Sequence, residues 1–192
     1  MDKSHGYEGV SALFIKSRGQ AVHGIGASTV RAWVRKLPKN STFLDLGCGT
    51  GIPMSKVLVD EGMQVYGVDA SPSMVKTFRQ NFPNNPVACE AAEESLFFNR
   101  QFDAIIAWGL LFLLPLDAQE IIIQKAASAL EMGGRLLFTS PGKKTKWKDA
   151  MTEQLSISPG AEWYKEQFMK SGLSLIEEFE DEGENHYYHS VK

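Results

Sequence analysis

The sequence predicts a single α/β domain built on a mostly parallel sheet, with helices on both faces. Three observations indicate this. From Phe43 onward, apolar strand signals alternate with helix signals. The segment FDAIIAWG is apolar at nearly every position, as expected of an interior parallel strand. The chain ends in two strand-like segments joined by the turn residues EGE, so five strand–helix units and an antiparallel terminal hairpin make a seven-stranded sheet.

The first two strand–helix units have clear boundary signals. FLDLG is a short apolar strand, and the helix in IPMSKVLVDEG has Pro53 in its first turn and Gly62 as its stop. QVYGVDA is the second strand. The helix in SPSMVKTFRQNF begins with Ser71 as its cap and Pro72 in the first helical position.

The remaining elements follow the same order. NPVACEAA, FDAIIAWG and RLLFTSP are the third, fourth and fifth strands, and a helix from Asp117 to a stop at Gly133-Gly134 separates the last two. A further helix begins near Ala161 and ends at Gly172. LSLIEEFED and NHYYHSV are the terminal strands.

The domain organisation is predicted from the same pattern. Residues 1–42 are predicted to form an N-terminal helical segment, and residues 43–192 form the core. Within the core, residues 142–160 form a polar insert without a clear period, on the substrate side of the sheet.

Composition narrows the class of protein. The net charge is −3, so no global positive field favours nucleic acid or membrane partners. The two cysteines lack zinc-like spacing and suggest a reducing compartment. The N-terminus lacks a signal-peptide core, and the longest apolar run is too short to span a bilayer. We expect a cytoplasmic protein, and the sequence does not predict its oligomeric state.

A glycine-rich loop follows the first strand, where ligands bind on such sheets. Gly47, Gly49 and Gly51 alternate, which fits neither the GxGxxG spacing of nicotinamide dinucleotide sites nor the GxxxxGK of P-loops. Asp69, about 20 residues further on, ends the second strand, where an acid accepts hydrogen bonds from a ribose diol. The two signals indicate a nucleoside ligand with free hydroxyls without saying which one.

Five segments in order carry a family resemblance: FLDLGCGTG, VYGVDAS, CEAAEES, FDAIIAWGLLF and EMGGRLLFTSP. Together they resemble the motifs of class I S-adenosylmethionine-dependent methyltransferases, from Phe43 to Pro141. The resemblance implies a Rossmann-like fold. It also implies S-adenosyl-L-methionine as cofactor, S-adenosyl-L-homocysteine as product, and methyl transfer by in-line displacement.

The resemblance implies a role for each motif. Asp45 would attract the α-ammonium of the cofactor, Asp69 would bind the ribose, and Arg18 would pair with the methionine carboxylate. The other implied cofactor residues are Gly47, Cys48, Gly49 and Gly51 for the methionine part, Ala70, Met74, Ala92 and Glu93 for the adenine, and Ala107 and Trp108 on the path to the sulfonium.

These assignments have structural alternatives. Asp45 could brace the loop, Met74 could be a core residue, and Arg18 could be a surface arginine. Glu93 belongs to an acidic cluster with Glu90 and Glu94, which could form a solvated edge instead.

The resemblance also implies that the N-terminal segment, residues 1–42, covers the active site. The acceptor pocket is expected among the N-terminal helices, the polar insert and the last strand. His186 and Tyr187 are the candidate catalytic groups, as a base or a phenol. The alternative is that NHYYHSV packs its aromatics in the core. The candidate substrate-binding residues are Phe14, Trp108, Phe112, Trp147 and Tyr188. The basic run Lys143–Lys148 could grip an anion or form a solvated loop.

Several acceptor classes are disfavoured. After the fourth strand the chain reads WGLLF, which lacks both the Pro-Pro-aromatic motif of enzymes that methylate base amines and the Pro-Cys nucleophile of cytosine-carbon enzymes. Trp108 occupies the position of the carboxylate in metal-dependent catechol-type enzymes, so no metal is expected. A small-molecule acceptor is predicted. The alternative is a cofactor-binding module without methyl transfer, and an NAD-linked oxidoreductase is disfavoured by the loop spacing.

Overall fold

The computed structural model describes residues 2–192, and Met1, the first residue of the predicted N-terminal segment, lies outside them. Residues 2–192 contain six α-helices and nine strands. The helices are α1 Tyr7–Lys16, α2 Ala27–Val34, α3 Met54–Asp60, α4 Pro72–Asn81, α5 Leu116–Ala129 and α6 Ala161–Lys170. The strands are β1 Thr42–Leu46, β2 Gln64–Asp69, β3 Val87–Cys89, β4 Phe102–Ala107, β5 Leu130–Thr139, β6 Thr145–Lys148, β7 Leu155–Ser158, β8 Ser174–Glu180 and β9 His186–Val191.

Seven of the strands form one sheet in the order β3-β2-β1-β4-β5-β9-β8. The first five are parallel, and β9 is antiparallel to both β5 and β8. The predicted Rossmann-like sheet is therefore confirmed. The strand order reverses between β1 and β4, which is where ligands bind on open α/β sheets.

The last strand of the chain is not the edge of the sheet. β9 lies between β5 and β8, so β8 takes the edge. Both edges of β9 are therefore paired, and Tyr187 and Tyr188 are fully buried. Tyr187 belongs to the buried cluster on the α2–α3 side of the sheet, whereas Tyr188 belongs to the cluster on the α5–α6 side. The side-chain alternation predicted for this strand is present, so successive residues of β9 pack into the cores on opposite faces of the sheet.

The predicted end of α5 and the predicted start of β5 are both wrong. The helix expected to stop at Gly133-Gly134 ends at Ala129, and β5 starts at once at Leu130. The two glycines lie in an irregular part of β5, since Phe102 pairs with Leu130 but Ala104 already pairs with Arg135. They accommodate this bulge, in which Gly133 has a φ of +80°.

The polar insert is more regular than its composition predicts. Within residues 142–160, β6 and β7 form a separate antiparallel hairpin. The exposed lysines of β6 hide the strand pattern in the sequence. In β7, only the alternate residues Ser156 and Ser158 are buried. Among residues 2–192, no helix is long and apolar enough to cross a bilayer.

Candidate functional site

A cavity of about 530 Å³ lies at the carboxyl ends of β1, β2 and β4. Its size is typical of small-molecule sites, which span about 300–1,000 Å³. The glycine loop after β1 forms one wall, and the turn after β4 forms another. Residues from the N-terminal segment and from the turns of both hairpins complete the lining.

The glycine loop has the backbone conformation that its sequence predicts. Gly47, Gly49 and Gly51 have φ values of +69°, +54° and +80°. At Gly49, an added Cβ would find only the Phe14 ring, 3.8 Å away, so the missing side chain leaves space on the cavity side. At Gly51, an added Cβ would lie 2.3 Å from the Phe82 ring. Gly51 thus allows the loop to pack on α4, and it does not line the cavity.

Asp69 ties the glycine loop to the end of β2. Its Oδ2 accepts a 2.8 Å hydrogen bond from the Gly49 backbone N–H, and its Oδ1 accepts one of 2.8 Å from Ser71 N–H. Burial raises the pKa of Asp69, and these two hydrogen bonds oppose the shift. Each oxygen can accept a further hydrogen bond from a ligand.

Asp45 is a buried acid beneath the same loop. Alternation along β1 directs it to the α3 side, where Ser55 Oγ donates a 2.5 Å hydrogen bond to Oδ2. Burial raises the pKa of Asp45 to about 7; the Ser55 hydrogen bond opposes this shift, and the charge of Asp69 adds to it. Among residues 2–192, no cation pairs with Asp45. A positively charged ligand group would favour its ionised form.

Most of the predicted cofactor residues line the cavity together. They are Arg18, Asp45, Gly47, Cys48, Gly49, Asp69, Ala70, Met74, Ala92, Glu93 and Trp108. Gly51 and Ala107 do not line it, since Gly51 faces Phe82 and Ala107 is fully buried in the sheet. Contact of any of these residues with a cofactor remains a prediction.

Lys125 holds the loop that carries Ala92 and Glu93. Its ammonium donates hydrogen bonds of 2.9 Å to the Glu93 carbonyl and 2.5 Å to the Ser95 carbonyl, and it lies 4.8 Å from the Phe97 ring centroid. No local pattern predicts this contact, because Lys125 lies on α5, about 30 residues further along the chain.

The predicted catalytic residues do not reach the cavity. His186 lies beside Gly142, and its Nε2 is 2.9 Å from a carboxylate oxygen of Glu178. Tyr187 is fully buried, and its hydroxyl donates a 2.8 Å hydrogen bond to Asp181. Burial raises the pKa of Tyr187 far above its usual range, and the hydrogen bond to Asp181 raises it further. The hydroxyl therefore stays protonated, which disfavours a role as a base. The core-packing alternative for the last strand fits this geometry.

The predicted substrate-binding residues divide into two groups. Phe14, Trp108 and Phe112 line the cavity. Trp147 does not, but its ring packs behind Phe112 with the centroids 5.4 Å apart. Tyr188 is fully buried and stacks on Phe138 in the core. The lysines of the run Lys143–Lys148 are exposed and lie outside the lining, which fits the alternative of a solvated segment.

Sequence reasoning missed several polar lining residues, above all Tyr7, Asp149 and Asn185. Tyr7 Oη lies 3.4 Å from Asp149 Oδ2, so α1 meets the turn of the β6–β7 hairpin at the cavity. Burial, with the nearby charge of Asp149, raises the pKa of Tyr7 to about 12. Asn185 lies in the terminal hairpin turn, whose EGE signal predicted only a turn.

Glu8 anchors α1 over the site. Its carboxylate accepts hydrogen bonds from the Ser71 hydroxyl, from Ser73 N–H at 3.1 Å and from Ser73 Oγ at 2.6 Å. These donors lie at the start of α4, where a carboxylate also interacts favourably with the helix dipole. The hydrogen bonds from Ser71 and then Ser73 lower the pKa of Glu8.

Comparison with known families agrees with this fold. Residues 20–183 match the family model described as a methyltransferase domain, which covers well over half of the chain. The chain belongs to this methyltransferase family. The predicted resemblance to the class I S-adenosylmethionine-dependent methyltransferases is confirmed. No curated protein matches this family member in sequence.

Solved structures share the fold at low identity. A TehB-like SAM-dependent methyltransferase from Corynebacterium glutamicum is 20% identical, with a TM-score of 0.75 over 96% of this chain and 98% of its own. A SAM-bound amino pentose methyltransferase from Micromonospora echinaspora is 17% identical, with a TM-score of 0.71 over 95% and 97%. The cyclase SpnF is 15% identical, with a TM-score of 0.78 over 100% and 97%.

Proposed function

We propose that this family member transfers a methyl group from S-adenosyl-L-methionine to a small-molecule acceptor, giving S-adenosyl-L-homocysteine. The observation that carries the proposal is the shared lining of one cavity by the glycine loop, Asp45 and Asp69. Family membership and the small-molecule methyltransferases among its structural neighbours support the same conclusion.

The residues present fit this cofactor. Asp69 keeps acceptor capacity for the ribose hydroxyls, and the open space at Gly49 admits the methionine part next to the backbone. Asp45 supplies a carboxylate for the α-ammonium, while Arg18, which has no ion pair among residues 2–192, supplies a cation for the carboxylate. When bound, the cofactor supplies a methyl group already activated for displacement.

The contribution of the chain itself is orientation and exclusion of water. Phe14, Trp108 and Phe112 give the cavity apolar walls that hold an acceptor, and the N-terminal segment, predicted as residues 1–42, covers it through α1. Orientation of reactants contributes on the order of 7–11 kcal/mol in favourable cases, more than a single general base contributes. The placement of His186 and Tyr187 outside the lining therefore does not weigh against transfer.

The cofactor-binding module without methyl transfer is kept as the second candidate, because a cyclase shares this fold. That candidate predicts that the protein's own aromatics fill the acceptor space. In the structure, Tyr187 is withdrawn into the core, and the three aromatic walls enclose open volume. This arrangement favours the transferase.

Calorimetry tests the cofactor. The full chain is expected to bind S-adenosylmethionine and S-adenosylhomocysteine but not NAD. Asp69→Ala should weaken binding at least about tenfold through loss of charge-assisted hydrogen bonds. Asp117→Ala, which removes an exposed acid outside the cavity, should bind normally. Absence of heat with both adenosyl compounds would overturn the proposal.

Turnover is tested separately. The protein is incubated with methyl-labelled cofactor and a panel of small amines, alcohols, phenols and carboxylic acids. Labelled product supports the transferase. Binding of the cofactor with no labelled product from any member of the panel favours the second candidate.

A further inference from the structure

We propose that Asp149 selects an acceptor that presents an amine to the cavity between aromatic walls. The inference rests on the proposed function and specifies its substrate class. It starts from the part of the lining that no cofactor role explains, which contains Tyr7 and Asp149.

Asp149 is rigidly held in the turn of the β6–β7 hairpin. Its Oδ1 accepts hydrogen bonds from Met151 N–H at 3.0 Å, from Thr152 N–H at 2.8 Å and from Thr152 Oγ1 at 3.0 Å. Its backbone N–H donates to the Gln154 carbonyl at 2.8 Å. Three donors on one oxygen leave little capacity there, so any ligand contact falls to Oδ2.

The second oxygen of Asp149 is poorly satisfied. Among residues 2–192, the one hydrogen bond to Oδ2 comes from Tyr7 Oη at 3.4 Å, well beyond the usual O–H···O distance of about 2.7–2.8 Å. A carboxylate oxygen in a largely apolar cavity gains more from a short hydrogen bond to an N–H donor than from this long contact.

The aromatic surroundings of Asp149 connect it to the acceptor walls. Trp147, two residues earlier, packs behind Phe112, and Tyr7 meets the edge of Phe14 with the centroids 5.9 Å apart. Asp149 therefore links two faces that line the cavity. A ligand that occupies this space has a flat or apolar body with a polar group directed to the carboxylate.

The charge of the cavity favours an amine over an anionic group. The lining carries five carboxylates and two permanent cations, Lys3 and Arg18. Lys3 pairs with Glu94, and Arg18 is assigned to the cofactor carboxylate. The lysines of the insert are exposed and are not among the lining residues. An acceptor carboxylate or phosphate would thus be repelled by the Asp149 carboxylate, with no free cation among the lining residues that the structure describes to offset that repulsion.

The test measures binding, so that it does not depend on turnover. The full chain is saturated with S-adenosylhomocysteine and titrated with phenethylamine, phenethyl alcohol and hydrocinnamate, which share an aromatic body. Phenethylamine should bind at least about tenfold more tightly than the alcohol, the factor expected for a hydrogen bond to a charged group. Hydrocinnamate should bind most weakly.

Two variants identify the source of the preference. Asp149→Asn keeps an oxygen for the turn but places an amide N–H₂ where Oδ2 was, so it should abolish the preference for the amine while leaving S-adenosylhomocysteine affinity within twofold. Glu153→Gln, in the same turn but outside the lining, should behave like the unmodified chain. Tyr7→Phe, which removes the long contact to Oδ2, should retain the preference.

The outcomes separate this inference from the proposed function. Equal binding of the three probes, the tightest binding by hydrocinnamate, failure of the amine to bind, or an amine preference that survives in Asp149→Asn each overturns the inference while cofactor binding stands. Failure of S-adenosylhomocysteine to bind the unmodified chain overturns both.

Discussion

The indole Nε1–H of Trp108 donates a 2.7 Å hydrogen bond to the Tyr187 hydroxyl, which donates in turn to Asp181. The chain of contacts runs from a cavity wall to the terminal hairpin turn. The Tyr187 ring is fixed from the other side by Phe179, stacked with centroids 4.9 Å apart. Gly26 is required beside this pair, because an added Cβ would lie 2.6 Å from the Tyr187 hydroxyl.

We expect Tyr187→Phe to free the Trp108 indole while keeping the stacked ring. The change leaves the indole N–H without its partner, while Asp181 Oδ2 keeps the hydrogen bond from Asn185, at a cost of about 1–3 kcal/mol in the free energy of unfolding. The Trp108 indole N–H should lose protection from hydrogen exchange, measured by NMR.

The matched control for that substitution is Tyr164→Phe. Tyr164 is an equally buried tyrosine with two hydroxyl contacts, to Gln119 and Ser140, on the opposite face of the sheet. It should cost similar stability without changing the Trp108 signal. Unchanged exchange at Trp108 in Tyr187→Phe would show that the hydrogen bond does not position the indole.

Cofactor binding should depend on pH through Asp45. Its pKa of about 7 in the free protein means that the carboxylate form grows as pH rises through 7. An ammonium group binds that form, so affinity for S-adenosylhomocysteine should fall toward tenfold per pH unit below 7 and level off above it. Calorimetry from about pH 5.5 to about pH 8.5, roughly 1.5 units on either side of that pKa, measures this. Asp45→Asn should remove the dependence, and a slope that persists in the variant would assign it to another group.

The same shift has a consequence for stability without ligand. The folded-state pKa of Asp45 is raised above its ordinary value of 3.8, so the folded chain holds a proton that the unfolded chain releases. Stability from this group is complete below pH 3.8 and is lost as pH rises to about 7. Asp45→Asn should therefore raise the Tm at pH 8 by more than at pH 5.5, relative to the unmodified chain. An equal change at both values would contradict the shift.

The glycine loop should tolerate no side chain at Gly51. Gly51 and Gly133 share a φ of +80°, but an added Cβ at Gly133 meets nothing within 4 Å, whereas at Gly51 it meets the Phe82 ring. Gly133→Ala should cost about 1–2 kcal/mol for the left-handed backbone alone. Gly51→Ala should cost about 1–3 kcal/mol more for overpacking. Urea unfolding measures both, and equal costs would contradict the role given to Phe82.

Glu8 should govern the local stability of α1. Glu8→Gln removes the charge that Ser71 and Ser73 satisfy, so α1 should exchange its amide hydrogens several-fold faster with little change in global unfolding. Glu162→Gln, at the exposed start of α6, serves as the control. Exchange in α1 that matches the control would show that other contacts hold the helix.

The order of strands and helices was predictable because its signals are local. Ser71 accepts a hydrogen bond from Met74 N–H at the start of α4, as its position before Pro72 predicts. The position of the glycine loop and of Asp69 at one edge of the sheet follows from the parallel order alone. The glycine loop and Asp69 are neighbours because each directly follows or ends a parallel strand, and each strand is recognisable from its own short segment.

The acceptor side was less predictable because it depends on contacts between distant segments. The basic composition of the insert hid a hairpin whose one lining residue, Asp149, is acidic. His186 and Tyr187 carry groups that could act in catalysis, but Tyr187 is fully buried and the partly buried His186 lies beside Gly142, outside the cavity lining. Sequence periodicity predicts that the side chains of β9 alternate between the two faces of the sheet, but it does not predict the position of β9 in the strand order.

The β6–β7 hairpin pairs with itself and not with the seven-stranded sheet. Its hydrogen-bonded register closes within residues 145–158, so it can be cut out and replaced as a cassette without breaking a strand pair of the main sheet. If the proposed function holds, replacing this hairpin is expected to change acceptor preference while the residues of the glycine loop and β2 stay in place. A mutagenesis library aimed at acceptor preference can therefore begin with these fourteen positions, residues 145–158.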